Sequence, residues 1–190
     1  MTTLVCGYGC PLRCRYCLNP QSWSAGIPTR DYTPEGLWKV LKIDDLYFRA
    51  TGGGVTFGGG EPLLYADFLP AFRAVCGPDW TINIETCLAV ERPAVALAAE
   101  AADVFFVDIK AWDDDLYRAY TGRERTLARE NLAWLLARVG PERVVVRVPA
   151  IPNFVTSEAA DAAAEHLRAM GVTRIDRFAY RLPKNEKEMP

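Results

Sequence analysis

Cys10, Cys14 and Cys17 stand at a C-x3-C-x2-C spacing, close enough for one tight loop to aim three thiols at a single centre. A structural zinc usually takes four ligands, often as two C-x2-C pairs far apart in the chain. A cubane iron–sulfur cluster held by three thiolates instead leaves one iron free to bind a further group. Taken alone, the spacing admits either chemistry. Tyr16 directly precedes the third thiol.

Four more groups could do chemistry. Gly52 to Gly60 carries six glycines in two triplets, the second running into Glu61 and Pro62. No Gly-Lys-Ser/Thr follows, so this is not a phosphate-binding P-loop. A flexible turn accounts for it, and so does a bare backbone that a ligand can approach, with a carboxylate beside it. Asp108 and Lys110 alternate, which puts both side chains on one face of a strand end, as a local salt bridge or as part of a site. Glu85 and Thr86 close another apolar run, and Arg147 lies near the end of a third, where a surface arginine would serve equally well. Asp113 to Asp115 read as the acidic start of a helix, favourable to its dipole, and not as a magnesium site. His166 reads as a solvated helix residue. Cys6, Cys76 and Cys87 form no second cluster, and Cys76 reads as core.

These residues need a scaffold that gathers them. Thr2–Cys6, Val55–Phe57, Thr81–Glu85, Val104–Asp108, Arg143–Val148 and Arg174–Phe178 read as six strands. Helices are expected from Thr33 as N-cap with Pro34 at the first position, from Asp67 as N-cap, and over about 93–101, 113–120, 127–139 and 157–170. Leu37, Val40 and Leu41 form the expected apolar stripe of the first helix, and Phe68, Leu69, Phe72 and Val75 that of the second. Residues 18 to 33 read as loop. The fourth strand is almost wholly apolar, as a strand buried on both faces would be. Strand and helix alternate, which argues for parallel strands joined by crossovers, in either a doubly wound open sheet or a barrel. In both, functional groups collect at the C-terminal strand ends, where all the candidates above fall.

The sequence resembles the radical S-adenosylmethionine (SAM) enzymes, whose signature is C-x3-C-x-aromatic-C. The string Gly-Gly-Gly-Val-Thr-Phe-Gly-Gly-Gly-Glu-Pro-Leu-Leu and the stretch Cys14 to Trp23 are similar to one group within it, the activating enzymes of glycyl radical enzymes, of the pyruvate formate-lyase activase type. The resemblance implies an α/β fold, a partial (β/α)6 TIM-like barrel of parallel strands open at one side, formed by 1–190 as a single domain. It implies that Cys10, Cys14 and Cys17 hold a [4Fe–4S] cluster whose fourth iron chelates SAM. It implies that Tyr16, Gly59, Gly60, Glu61, Glu85, Thr86, Asp108 and Lys110 bind SAM, Lys110 through its carboxylate and Gly59-Gly60-Glu61 through its amino group. Asp108 and Glu85 would also serve a monovalent cation, and Arg147 would stand near SAM and the incoming glycine loop as a catalytic residue. Flavodoxin or ferredoxin would supply an electron, SAM would split to methionine and a 5′-deoxyadenosyl radical, and that radical would take hydrogen from a glycine of a partner enzyme.

Several features depart from that group. Glu85 replaces its aspartate, one methylene longer, and Arg181 follows Tyr180 where it has histidine. No cysteine lies between 18 and 53, so the added ferredoxin-like clusters of some members are not expected. The sequence opens at the first strand, without the group's preceding Asp-Gly-Pro-Gly-Ile-Arg segment, and stops soon after the sixth. This leads us to expect a compact variant or one whose partner covers the open side. An activase of anaerobic ribonucleotide reductase, a radical SAM enzyme acting on a small molecule, and a non-catalytic metal-binding module remain open.

Composition agrees with this. Of 190 residues, half are apolar and about a quarter charged, with a net charge of −2. That suits one domain with a substantial core and offers no basic field for nucleic acid. No signal peptide or membrane-spanning run appears, so reduced thiols in the cytoplasm are expected.

Overall fold

Residues 1–23 and 26–181 are described by the structure, a computed structural model of the chain. Six strands form one parallel sheet: β1 (Thr2–Gly7), β2 (Gly54–Gly59), β3 (Thr81–Thr86), β4 (Val104–Asp108), β5 (Val144–Ala150) and β6 (Arg174–Ala179). Their order in the sheet is their order in the chain. A doubly wound sheet would reverse its strand order at a switch point. None occurs, so the chain winds as six successive units of a (β/α) barrel. Among the described residues β1 and β6 pair with no seventh strand and not with each other, which is the open side.

Among the described residues the strands are joined by seven α-helices: α1 (Pro34–Leu41), α2 (Asp45–Thr51), α3 (Phe68–Cys76), α4 (Arg92–Ala101), α5 (Asp114–Thr121), α6 (Thr126–Val139) and α7 (Ser157–Ala169). The core lies between them and the sheet. Val55, Phe57, Ile82, Ile84, Phe105, Val107, Val144, Val146 and Val148 point outward into it and meet Leu37, Leu69, Phe72, Val95, Leu132 and Leu167. The alternate residues face the barrel interior, where polar groups gather. β4 is therefore not buried on both faces: Phe105 and Val107 are buried, while Val104, Phe106 and Asp108 are half-buried toward the open interior.

Side-chain caps start three of the helices, α1, α5 and α7. The Thr33 hydroxyl accepts from the Gly36 amide at 3.1 Å, with Pro34 at the first position. Asp113 accepts from the Leu116 amide at 2.9 Å, which accounts for the acidic triplet. Asp67 does not cap α3, because it is itself in helical conformation, continuing a 3₁₀ turn over Pro62–Tyr65. The expected stripes also shift: Val40 is exposed and Trp38 packs on the core instead, and Cys76 replaces Val75 at the end of α3. Residues 18–33 hold a 3₁₀ turn at Pro20–Trp23, and positions 24 and 25 of that stretch lie outside the described residues. No described helix is long and apolar enough to cross a membrane.

Candidate active site

The loop after β1 carries the three thiols over the C-terminal rim, and backbone bonds fix it there. The Arg13 and Arg15 amides donate to the Thr121 and Tyr120 carbonyls at the end of α5, at 2.8 and 2.9 Å. The Gly9 amide donates to the Ser22 carbonyl at 2.9 Å, closing the loop at its other end. Leu12, 1% exposed, pins its centre in the core. Cys14 is buried, and Cys10 and Cys17 are half-buried. Among the described residues no three His, Cys, Asp or Glu side chains come close enough to share one metal ion. Cysteine thiolates are the ligands a [4Fe–4S] cluster takes, and three on one loop leave its fourth iron open. The donor set therefore fits a cluster.

The thiols are unlike one another. Burial pushes Cys14 up to about 11, and it also raises Cys17. Cys10 is drawn down to about 7, chiefly by the neighbouring buried Cys87 thiol. The Lys110 ammonium works to lower all three. Burial works to lower Lys110, but Asp108 and the Cys14 and Cys87 thiols together outweigh burial and hold it above the ordinary lysine value.

The β2 loop is bonded to the cysteine loop by its backbone. The Gly60 amide donates to Gly7 at 3.1 Å and the Glu61 amide to Gly9 at 2.8 Å. A Cβ on Gly60 would stand 2.2 Å from the Gly9 carbonyl oxygen, and one on Gly59, at φ +84°, would lie 2.8 Å from the Cys6 Cβ. Glycine is required here first by the approach of one loop to another. Asn19 adds a side-chain link, from Nδ2 to the Gly59 carbonyl at 3.3 Å.

Two expected SAM contacts turn inward instead. The Glu61 carboxylate, 1% exposed, accepts from the Leu63 amide at 3.1 Å and the Thr86 hydroxyl at 2.8 Å through Oε1. Through Oε2 it accepts from the Cys87 amide at 2.9 Å and the Cys87 thiol at 3.0 Å. Thr86 in turn accepts from the Leu88 amide at 2.9 Å. Both side chains hold the β2 and β3 ends together and are not free at the rim. Burial raises the Glu61 carboxyl above its ordinary value.

The other candidates do converge on the interior face. Asp108 on β4 sits opposite Arg147 on β5. Arg147 donates Nε to Asp108 Oδ1, and Nη1 to Glu85 Oε1 at 3.2 Å. Lys110 Nζ donates to Asp108 Oδ2 at 2.8 Å. Burial of Asp108 opposes its charge, but Lys110 and Arg147 hold its carboxyl below the usual carboxylate range.

Tyr16 belongs to an aromatic cluster. Its ring meets Phe154 and Tyr120 edge-on, at 5.7 and 6.3 Å, and stacks on Tyr180 at 6.4 Å. The Tyr180 hydroxyl donates to the Tyr16 carbonyl, and Asn153 Nδ2 donates to the Tyr16 hydroxyl at 3.2 Å. His166 lies outside this group, stacked on Trp112 at 5.2 Å on the outer surface. Cys87, Asn19, Tyr180 and Asn153 were not assigned to the site from the sequence. Each lies at the C-terminal rim, and that position was the signal available. A cavity of about 700 Å³ lies along the β1 edge against the 27–32 segment, and Cys6, Asn19, Gly59 and Gly60 are among the residues that line it.

Comparison with known proteins follows this geometry. The sequence model of the Radical SAM superfamily matches residues 4–174. A pyruvate formate-lyase-activating enzyme of Staphylococcus aureus (strain USA300) is 35% identical over 129 residues, 62% of this chain and 50% of the relative. The chain thus spans about half the length of the curated relatives it matches. Among solved structures, Streptococcus suis SuiB bound to S-adenosylmethionine superposes with a TM-score of 0.70 at 16% identity, over 98% of this chain and 42% of SuiB. A domain of pyruvate-formate lyase-activating enzyme from Bacteroides vulgatus ATCC 8482 gives 0.52 at 22% identity, over 73% of this chain and 86% of that one. The two structures share the fold.

Proposed function

The chain belongs to the radical SAM superfamily, whose members work with a [4Fe–4S] cluster and SAM, and from that premise we propose that it activates a glycyl radical enzyme. The observation that carries the reading is the convergence at one rim of the three-thiol loop, the Gly59-Gly60 backbone and the Asp108–Lys110 pair. Likeness to an activating enzyme supports the substrate class. Residues 1–190 act as one domain, and the reduced thiols it needs fit the cytoplasm.

Cys10, Cys14 and Cys17 would hold the cluster. When bound, the cluster and SAM supply one-electron chemistry, fed by a flavodoxin or ferredoxin, that yields a carbon radical able to take hydrogen from a partner's glycine. The protein's part is placement. The Lys110 ammonium, held by Asp108, would meet the SAM carboxylate. The β2 loop would offer its backbone to the methionine amine, while Glu61 and Thr86 hold that loop in position from behind. The Tyr16 cluster walls the site at the β5 and β6 ends and excludes water. The open side between β1 and β6 admits a segment of a protein substrate.

The test is anaerobic. The reconstituted protein is reduced with dithionite and given SAM, and 5′-deoxyadenosine is assayed with Cys14→Ala as control. Product that disappears in the control supports the core chemistry, and a glycyl radical signal by electron paramagnetic resonance on adding a candidate partner supports the substrate class. A well-formed cluster that leaves SAM intact both with and without partners would defeat the proposal.

A further inference from the structure

Resemblance gives Asp108 and Glu85 to a monovalent cation, yet the geometry gives them to side chains. Both Asp108 oxygens are taken, Oδ1 by Arg147 and Oδ2 by Lys110, and Glu85 Oε1 is taken by Arg147. Only Glu85 Oε2 is left by these contacts, whereas a bare alkali cation replaces a whole shell of water with oxygens. The charges already cancel, with two carboxylates facing one guanidinium and one ammonium.

Register explains why arginine can fill this place. Glu85 pairs with Phe106 across β3 and β4, and Asp108 pairs with Arg147 across β4 and β5. Glu85 and Arg147 therefore reach for each other diagonally over β4, two strand spacings across and two residues along, roughly 11–12 Å between backbones. Phe106 lies beneath, with the guanidinium carbon 5.9 Å from its ring centre. The extra methylene of Glu85 helps to span that gap, so the substitution and the arginine contact are one feature. A planar guanidinium can hold two acids at once in a fixed geometry, which a lysine cannot do.

We propose that Arg147 is a positioning residue that stands in for the monovalent cation, so that SAM binding in this chain is independent of sodium and potassium. The inference rests on the reading of this rim as a SAM site. The test measures SAM affinity of the cluster-loaded protein in potassium, sodium and tetramethylammonium chloride at one ionic strength. Affinities equal within about twofold are expected. A loss of about tenfold or more in tetramethylammonium, restored by potassium, overturns the proposal. Arg147→Ala is expected to show that very loss and to be rescued by potassium or by free guanidinium. Should that variant fail to fold, Glu85→Asp releases the arginine more gently and is expected to gain the same salt specificity. Melting midpoints of the loaded wild type in the three salts form a separate arm that needs no SAM, and equal midpoints are expected. If SAM binds in none of the salts, the SAM-site reading falls. A potassium-specific rise in the wild-type midpoint would overturn the arginine proposal by itself.

Discussion

Glu61 shows how a residue at a functional rim can work by facing away from it. Its carboxylate accepts four hydrogen bonds from Leu63, Thr86 and Cys87 and has no exposed oxygen to offer. Glu61→Gln would turn an amide N–H₂ toward two of those donors. The expected cost is about 1–3 kcal/mol in urea unfolding, since buried donors lose their acceptor. Asp108 gives the opposite electrostatic case. Its folded pKa is lowered, so its contribution is present above the ordinary carboxylate pKa and is lost as pH falls through the folded value. Glu61 is raised by burial, so the folded state gains relative stability as pH falls into its range. Asp108→Asn should therefore flatten the acid limb of a stability–pH curve, measured by denaturant midpoints from neutral pH downward; an unchanged limb would remove Asp108 from the account. The grouping of Asp108, Lys110, Glu85 and Arg147 was legible from their positions at strand ends. The inward turn of Glu61 and Thr86 was not, because spacing along the chain does not say which way a loop side chain rotates.

At the scale of elements, α5 supports the cysteine loop with its last carbonyls, Tyr120 and Thr121, and ends on Gly122 at φ +72°. Gly122→Ala meets no atom within 4 Å, so only backbone strain opposes it. That strain is about 1–2 kcal/mol, equivalent to a fall in melting midpoint of roughly 2–8 °C for a chain of this size. Iron retained per chain after desalting should fall with it, because the carbonyls that anchor Arg13 and Arg15 shift. Unchanged iron content would show that the loop holds its shape without α5. Most strands and helices were readable from alternation and capping residues. α2 was not, since its Leu46 and Tyr47 are exposed and only Phe48 of that helix is buried. A helix with one anchoring side chain shows no apolar stripe.

For the whole molecule, sequential strand order and a single buried layer running from α1 to α7 predict one cooperative unfolding transition. Far-ultraviolet circular dichroism and tryptophan fluorescence should give coincident curves, and separated midpoints would divide the chain into more than one folding unit. The barrel architecture was legible from the β/α alternation together with family resemblance; alternation alone left a doubly wound sheet open, and only strand order decides between them. Strand order also makes the first two β/α units neighbours, and there the Gly60 backbone meets the Gly9 carbonyl with no space for a side chain. The two loops are thus one interchangeable part for a protein engineer. Residues 1–66 can be exchanged between related scaffolds as a block, whereas grafting either loop alone leaves a seam where the backbones no longer match.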